Sequence, residues 1–369
     1  MSKTLSICIP TFNRMEKLDR VLSLLADELK GMKGKAEVCV SDNASEDGTQ
    51  EVLRKWAGRL PLESSRNDEN LGYDVNLLKS LQLAGAHFAW FLSDDDELVP
   101  GAVKRIVLDL EKNRGTGFGA AFFNIEDRNG IPMIKLGFKD FSVFGLKRSG
   151  LGLDINSIST VIVDREKAMQ VIKEDVRIDG CSLYKKKLGG YVFDIYFQTY
   201  LFLECAAKAG RFAVAPYCGI RTRGESRQIT YENKMHRDLI GLKYRYDFKK
   251  YYGWFNPGPP RYNIGSYFIW SLIVNERPDL RRAFEAACRL FAYLLKRDGY
   301  WWQAALVSML YKLERIGPLA PPFGAMERLV FKRLLGKTKL IKNVQDQDSA
   351  QKKNLELLVS VVEKLDDAR

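Results

Sequence analysis

The chain is expected to be an α/β protein: a Rossmann-like, mostly parallel sheet with helices on both faces, followed by a helical C-terminal region. Three observations predict this. Short apolar runs alternate with amphipathic helical runs through about residue 113, the pattern of parallel strands joined by crossover helices. Three of the apolar runs close on polar clusters, PTFNR, SDNASEDGT and SDDDE, and open sheets of this kind bind ligands at the carboxyl ends of their strands. Beyond about residue 236 the chain turns aromatic, basic and helical in pattern.

The elements follow in order. TLSICIPTFN (4–13) reads as a buried strand ending in a Pro-Thr turn. Leu18, Val21, Leu22, Leu25 and Leu29 then recur at helical spacing until Gly31. AEVCVSDNAS (36–45) is a second strand, SEDGTQEVLRKWA a capped helix, and Val75 to Leu83 a third helical run. The strand HFAWFL leads into the acidic run Asp94 to Glu97, and Pro100 opens the helix GAVKRIVLDLEKN. Short strands and turns fill about 115–165. Residues 188–210 read as a buried helix stopped by Gly210, before the strand RFAVAPYCGI. The expected domains are a sheet-and-helix domain over 1–235, a basic aromatic helical region over 236–345, and a charged tail with one amphipathic helix over 346–369.

Composition narrows the function classes. Hydrophobic residues make up 46% and charged residues 28% of the 369, which argues against disorder. Six scattered cysteines without a CxxC pair, and only two histidines, disfavour a zinc site or a disulfide framework and suit a reducing compartment. No signal peptide is expected, and the longest apolar runs (264–274 and 301–311) are about half the roughly 20 residues a spanning helix needs. Net charge is +12, yet residues 241–345 hold 19 Lys and Arg against 7 Asp and Glu. The whole excess therefore sits in one region, which suggests an anionic partner there. Its interleaved aromatics suit an anionic membrane surface. No nucleic-acid-binding module is recognised, so a nucleic-acid partner is not expected.

The strand-end clusters carry the chemistry. Asp94, Asp95 and Asp96 offer hard oxygen ligands for Mg²⁺ or Mn²⁺, which one or two carboxylates and a diphosphate satisfy together. The same run could instead cap the helix after Pro100. Asp42 ends the second strand, where it can accept a hydrogen bond from a base-edge N–H; Asn43 and Ser45 could equally be turn formers, and Ser45 and Asp47 helix caps. No GxGxxG follows the first strand, so a dinucleotide-binding dehydrogenase has no support.

Taken as a set, LSICIPTFNR, VCVSDNASEDGT, ENLGYDVN and FAWFLSDDDELVP resemble the N-terminal half of the inverting glycosyltransferases of family 2, which have the GT-A fold. The resemblance covers about residues 4–110, and the acidic run is also similar to that of the abequosyltransferase-like O-antigen branch. It implies that Pro10, Thr11 and Asn13 line a nucleotide pocket with Arg14 nearby. Asp42 would bind the base with Asn43 beside it, and Asn70 and Gly72 would shape the adjoining loop. The acidic run would be the DxD element, with Asp94 on the ribose and Asp95, Asp96 and Asp94 on Mn²⁺ or Mg²⁺. Ser93 stands where members of the family usually carry the first Asp, which favours Asp95 as the principal ligand. The usual Glu-Asp pair of the general base falls on Gln198-Thr199; Asp194 is the nearest carboxylate and the expected base, with Glu204 in reserve. The implied donor is a UDP- or dTDP-sugar and the implied acceptor a polyprenyl-linked saccharide at the cytoplasmic face of the plasma membrane. A sugar nucleotidyltransferase and a non-catalytic nucleotide-sugar or membrane-binding protein are the alternatives.

Overall fold

In the computed structural model of the protein, residues 3–146, 157–175, 197–221, 228–230, 278–297, 299–314 and 339–341 are described, with isolated positions between and beyond them. The chain divides into two compact units, Met1–Gly224 with Trp254–Gly258, and Glu225–Gly253 with Pro259–Arg369.

The first unit is built on one sheet. Strands β1 (Leu5–Thr11), β2 (Ala36–Asp42), β3 (Leu62–Arg66), β4 (Phe88–Phe91), β5 (Glu97–Leu98), β6 (Ala120–Glu126), β7 (Ser142–Gly145), β8 (Val161–Asp164) and β9 (Arg211–Arg221) run in the order β3-β2-β1-β4-β8-β6-β9-β5, with β7 pairing on β9. The half β3-β2-β1-β4 is parallel, as the sequence leads one to expect. The other half is mixed: β8 lies antiparallel between β4 and β6, and both β5 and β7 run antiparallel to β9.

Every residue of β1 and β2 is buried, as expected of strands covered on both faces. On one face Leu5, Ile7 and Ile9 meet α1 (Met15–Glu28), α2 (Thr49–Ala57) and α4 (Ala102–Asn113). Leu18, Val21, Leu22 and Leu25 of α1 supply that contact at helical spacing, each contributing at most about 1.5–3 kcal/mol. The opposite face carries α3 (Tyr73–Leu83), tied to β2 where Ser41 Oγ donates to Asn76 Oδ1 at 2.7 Å. It also carries α6 (Phe197–Ala209), seated so closely that a Cβ on Gly119 would lie 1.8 Å from the Cys205 carbonyl oxygen. Helix α5 (Arg165–Asp175) follows β8.

Several boundaries differ from the sequence reading. LESSR, to which the sequence reading assigns no element, is the edge strand β3; its burial is only partial, so no apolar run announces it. Helix α3 starts at Tyr73, two residues earlier than Val75. Helix α4 starts at Ala102 behind its capping residue Gly101 (φ 77°), so Pro100 lies just ahead of the cap and does not open the helix itself. Helix α6 is described from Phe197, and residues 188–196 of the expected helix lie outside the described residues.

The second unit holds α7 (Arg281–Arg297) and α8 (Trp301–Glu314), plus a two-stranded parallel pair, β10 (Gln228–Thr230) with β11 (Lys339–Ile341). Ala283, Phe284, Ala287, Leu290, Phe291 and Leu294 form the buried stripe of α7, and Trp270 meets Phe291 edge-on at 5.6 Å. Arg282 Nε donates to Glu363 Oε1 at 2.8 Å, joining α7 to the tail. Among the described residues, no helix is long and apolar enough to cross a membrane.

Candidate active site

The register of the parallel strands builds the site. Thr11, the last residue of β1, is the direct partner of Asp42, the last residue of β2. Toward β4 the ladder ends where Leu92 N donates to Cys8 O at 2.9 Å. Pro10, two residues on, has no N–H with which to extend it. The strands part there, and the chain beyond β4, Ser93 to Asp96, turns back across the end of β1.

The three aspartates fan out rather than converge. Asp94 is almost fully buried, 3% exposed; its Oδ2 accepts from Thr11 Oγ1 and its Oδ1 from Arg14 Nη1, both at 2.8 Å. Asp95 accepts from Ser93 Oγ at 2.6 Å and from Arg14 Nη1 at 3.2 Å, with Lys17 Nζ at 3.6 Å. Asp96 turns the other way, accepting from Ser159 Oγ at 2.5 Å. Ser159, which is buried in the turn before β8, also accepts from Ser93 N at 2.9 Å.

Burial pushes the Asp94 carboxyl above its ordinary range, although the Arg14 charge and the hydrogen bonds from Thr11 and Arg14 pull it down. Arg14 is raised on balance: burial opposes its charge, but the carboxylates of Asp94 and Asp95 outweigh that cost. Tyr73, at the start of α3, completes the wall. The residue is 36% exposed as a whole, but burial of the hydroxyl end and the fields of Asp74, Asp94, Asp96 and Asp95 hold that hydroxyl well above the usual phenol range.

A second polar network surrounds the end of β2. Asp42 is fully buried; its Oδ1 accepts from Ser45 N at 3.0 Å and its Oδ2 from Gln50 Nε2 at 2.5 Å. Arg66 Nε lies 3.6 Å from the same Oδ2. Asn43 donates to Asn70 Oδ1 at 2.6 Å and accepts from Asn67 Nδ2 at 2.9 Å and Leu71 N at 3.0 Å. Asn70 in turn accepts from Gly72 N at 3.0 Å. Gly72 adopts φ 82°, ψ 169°, a conformation open essentially to glycine alone. Asn13 (φ 50°) accepts from Glu46 N at 2.8 Å, and its own N–H donates to Ser45 Oγ at 2.9 Å. Asp47 serves two helices, accepting from Met15 N at the start of α1 and from Thr49 N and Oγ1 at the start of α2.

The fold therefore brings together Pro10, Thr11, Asn13, Arg14, Asp42, Asn43, Asn70, Gly72 and the three aspartates around one strand-end crevice. Asp194 lies outside the described residues. Glu204 is not among them: it sits in the later half of α6, one residue before the Cys205 carbonyl that meets Gly119 just ahead of β6. The N-terminal turn of α6 does reach the crevice side, where Phe197 N lies 3.4 Å from Asp74 Oδ1 on α3. The sequence reading missed Lys17, Gln50, Tyr73, Asn76 and Ser159. Asn76 lies inside a quoted motif, bridging Ser41 Oγ and the Thr11 carbonyl.

Among the described residues, no group of three or more His, Cys, Asp or Glu is gathered to hold a metal ion. The donor chemistry still fits a hard divalent cation of the kind that takes one or two carboxylates and completes its shell with phosphate oxygens. The Asp95 side chain, 21% exposed, supplies the accessible carboxylate.

Residues 6–188 match the model of Glycosyl transferase family 2. This part of the chain is a family 2 glycosyltransferase domain. Abequosyltransferase RfbV of Salmonella typhimurium is 41% identical over 96 residues, 26% of this chain and 28% of that protein. GalNAc(5)-diNAcBac-PP-undecaprenol beta-1,3-glucosyltransferase of Campylobacter jejuni is 30% identical over 148 residues, 39% of this chain and 44% of that protein. The matches thus span less than half the length of either relative. The crystal structure of S. aureus TarS 1–349 superposes with a TM-score of 0.51 at 14% identity, covering 99% of this chain and 92% of that one. That likeness is one of fold, the GT-A-like mixed sheet with helices on both faces.

Proposed function

We propose that the protein is a metal-dependent, inverting glycosyltransferase that moves a sugar from a nucleoside diphosphate to a lipid-linked saccharide in cell-surface polysaccharide synthesis. The observation that carries this reading is the meeting of Asp42, Thr11, Arg14 and the Asp94–Asp96 run at the open ends of β1, β2 and β4. A base edge reaching Asp42 takes the place of the Gln50 amide on Oδ2, and the Asn43–Asn70–Gly72 network holds the loop that borders the base. Asp95 would hold Mn²⁺ or Mg²⁺, joined by Asp96 on its release from Ser159, and the ion when bound neutralises charge developing on the departing diphosphate. Arg14, already between two carboxylates, swings or stays to offer its remaining donors to the phosphates. Thr11 keeps Asp94 oriented toward the ribose side. The acceptor hydroxyl loses its proton to Asp194 while the anomeric carbon is attacked from the face opposite the diphosphate. Glu204 is left to the contact of α6 with β6.

The name of one relative supports the acceptor class, since that glucosyltransferase acts on an undecaprenol-linked saccharide; the other is named an abequosyltransferase. The same acceptor class and the basic second unit support peripheral attachment at the cytoplasmic face of an anionic membrane. A UDP- or dTDP-sugar is the proposed donor.

A thermal-shift screen of UDP-, dTDP-, GDP- and CDP-sugars with Mn²⁺ tests the reading. One uridine or thymidine donor is expected to stabilise the protein only when metal is present, and Asp95→Ala to abolish the shift. No stabilisation by any donor, or an undiminished shift in Asp95→Ala, would remove the metal-and-nucleotide reading.

A further inference from the structure

The second unit carries an exposed apolar surface of its own. Helices α7 and α8 form a tight hairpin. Gly299, at φ 89°, donates its N–H to Lys296 O at 3.2 Å, and Tyr300 N donates to Leu295 O at 2.8 Å. These paired bonds close α7 with a left-handed glycine cap, and α8 starts at once with Trp301 and Trp302. Both indoles stand in solvent, 61% and 66% exposed.

Helix α8 carries no charged residue from Trp301 to Tyr311. Trp302, Ala305 and Met309 form an exposed stripe along it, ending at Lys312, whereas Ala304 and Val307 face the core. A water-facing helix normally puts its polar residues outward. Here the outward side is apolar, and cations edge it: Lys296 and Arg297 at the tip and Lys312 one helix length away. Lys296 Nζ stands 5.3 Å over the Trp301 ring. A recess of about 380 Å³ between the helices opens beside it, lined by Tyr293, Lys296, Trp301 and Ser308 with three alanines.

We infer that the tip of the α7–α8 hairpin is a membrane-docking surface that inserts Trp301 and Trp302 into the interface of an anionic bilayer. Indole rings settle at the boundary between headgroup and acyl chain, one edge apolar and the other wet. The Lys and Arg around them meet lipid phosphate at the same depth, and the apolar stripe of α8 gives the hairpin area to bury. Charge complementarity selects this occupant over a second copy of the chain, because two such tips would bring their cations together. The inference rests on the membrane contact proposed above and names the surface that makes it.

Flotation of the full chain on vesicles of equimolar phosphatidylcholine and phosphatidylglycerol tests it. Wild-type protein is expected to float, to bind pure phosphatidylcholine at least about tenfold more weakly, and to release in high salt. Trp301→Ala/Trp302→Ala is expected to lower partitioning at least about tenfold, and Lys296→Gln/Arg297→Gln to weaken it while reducing its salt dependence. Far-UV circular dichroism and the thermal shift with donor and Mn²⁺ should match wild type in both variants; partitioning of a variant that fails this control is replaced by Trp302→Ser, a single exposed substitution. Wild-type protein that never floats removes the membrane contact altogether. A tryptophan variant that floats like wild type overturns this surface alone, as does concentration-dependent dimerisation that the same substitutions abolish.

Discussion

Asp94 is the residue on which the crevice turns, since it is buried and charged at once. Its charge is tolerated because Thr11 and Arg14 each bond one of its oxygens at 2.8 Å. Removing Arg14 leaves that charge without its counter-ion in a poorly solvated place. Breaking a buried pair costs about 3–5 kcal/mol; the Arg14 side chain is 44% exposed, so we expect Arg14→Gln to cost about 2 kcal/mol. Asp94→Asn in that background should return most of the loss, because it removes the stranded charge and keeps the shape. Urea unfolding of the four proteins in a double-mutant cycle checks this, and a coupling energy near zero would refute it. The same residues show what could be read from sequence. Asp42, Thr11 and the aspartates were legible because parallel strands deliver their last residues to one edge. Ser159 was not: it bonds Asp96 across 63 positions, from a turn whose place depends on the antiparallel insertion of β8. Tyr73 was hidden differently, lying inside the quoted ENLGYDVN while the glycine before it drew the attention.

At the scale of elements, one carboxylate closes the first turns of both α1 and α2, which Asp19 also joins farther along through Lys55 and Trp56. Neither helix has a side-chain hydrogen bond from its own capping residue, Arg14 or Gly48; Asp47 supplies acceptors to both first turns instead. Burial works against its charge, but the Thr49 hydroxyl and the Met15 and Thr49 N–H groups hold its carboxyl below the ordinary value of 3.8. A depressed carboxylate stabilises the fold above its unfolded pKa, and the contribution is lost as pH falls through the lower, folded one. Asp47→Ala should therefore cost about 1 kcal/mol at neutral pH. The gap from wild type should close as pH drops below the carboxylate range, read from denaturant midpoints across a pH series; a gap that stays constant would show that the contact acts by shape and not by charge. SEDGT was legible as a cap because Asp before Gly-Thr announces one, yet its reach to Met15 was not, since that needs β1 and β2 side by side. The parallel half of the sheet, its edge strand β3 excepted, was readable from its regular alternation of strand and helix. The mixed half was not, because β5, β7 and β8 are only two to four residues long and leave no periodicity to read.

At the scale of the whole molecule, the crevice and the charge excess separate along the chain. Residues before 241 are close to electrical balance, 35 basic against 33 acidic, and contain the strand-end crevice, whereas residues 241–345 hold 19 basic against 7 acidic side chains. The two units also keep separate cores: Trp90 and its neighbours in the sheet, and Trp270 with Phe291 in the second unit. Folding units with their own cores can unfold as separate transitions. Calorimetry of the full chain is therefore expected to show two endotherms, and each proposed ligand should move one of them. A donor with Mn²⁺ at about a hundred times its Kd adds about 2.7 kcal/mol to whatever binds it. For a unit of this size that is a rise of roughly 5–10 °C in midpoint. Arg14→Gln, whose site lies wholly in the first unit, should lower the same endotherm and leave the other in place, which assigns it without cutting the chain. If donor and Mn²⁺ instead raise both endotherms together, the crevice does not bind on its own and the second unit contributes to it.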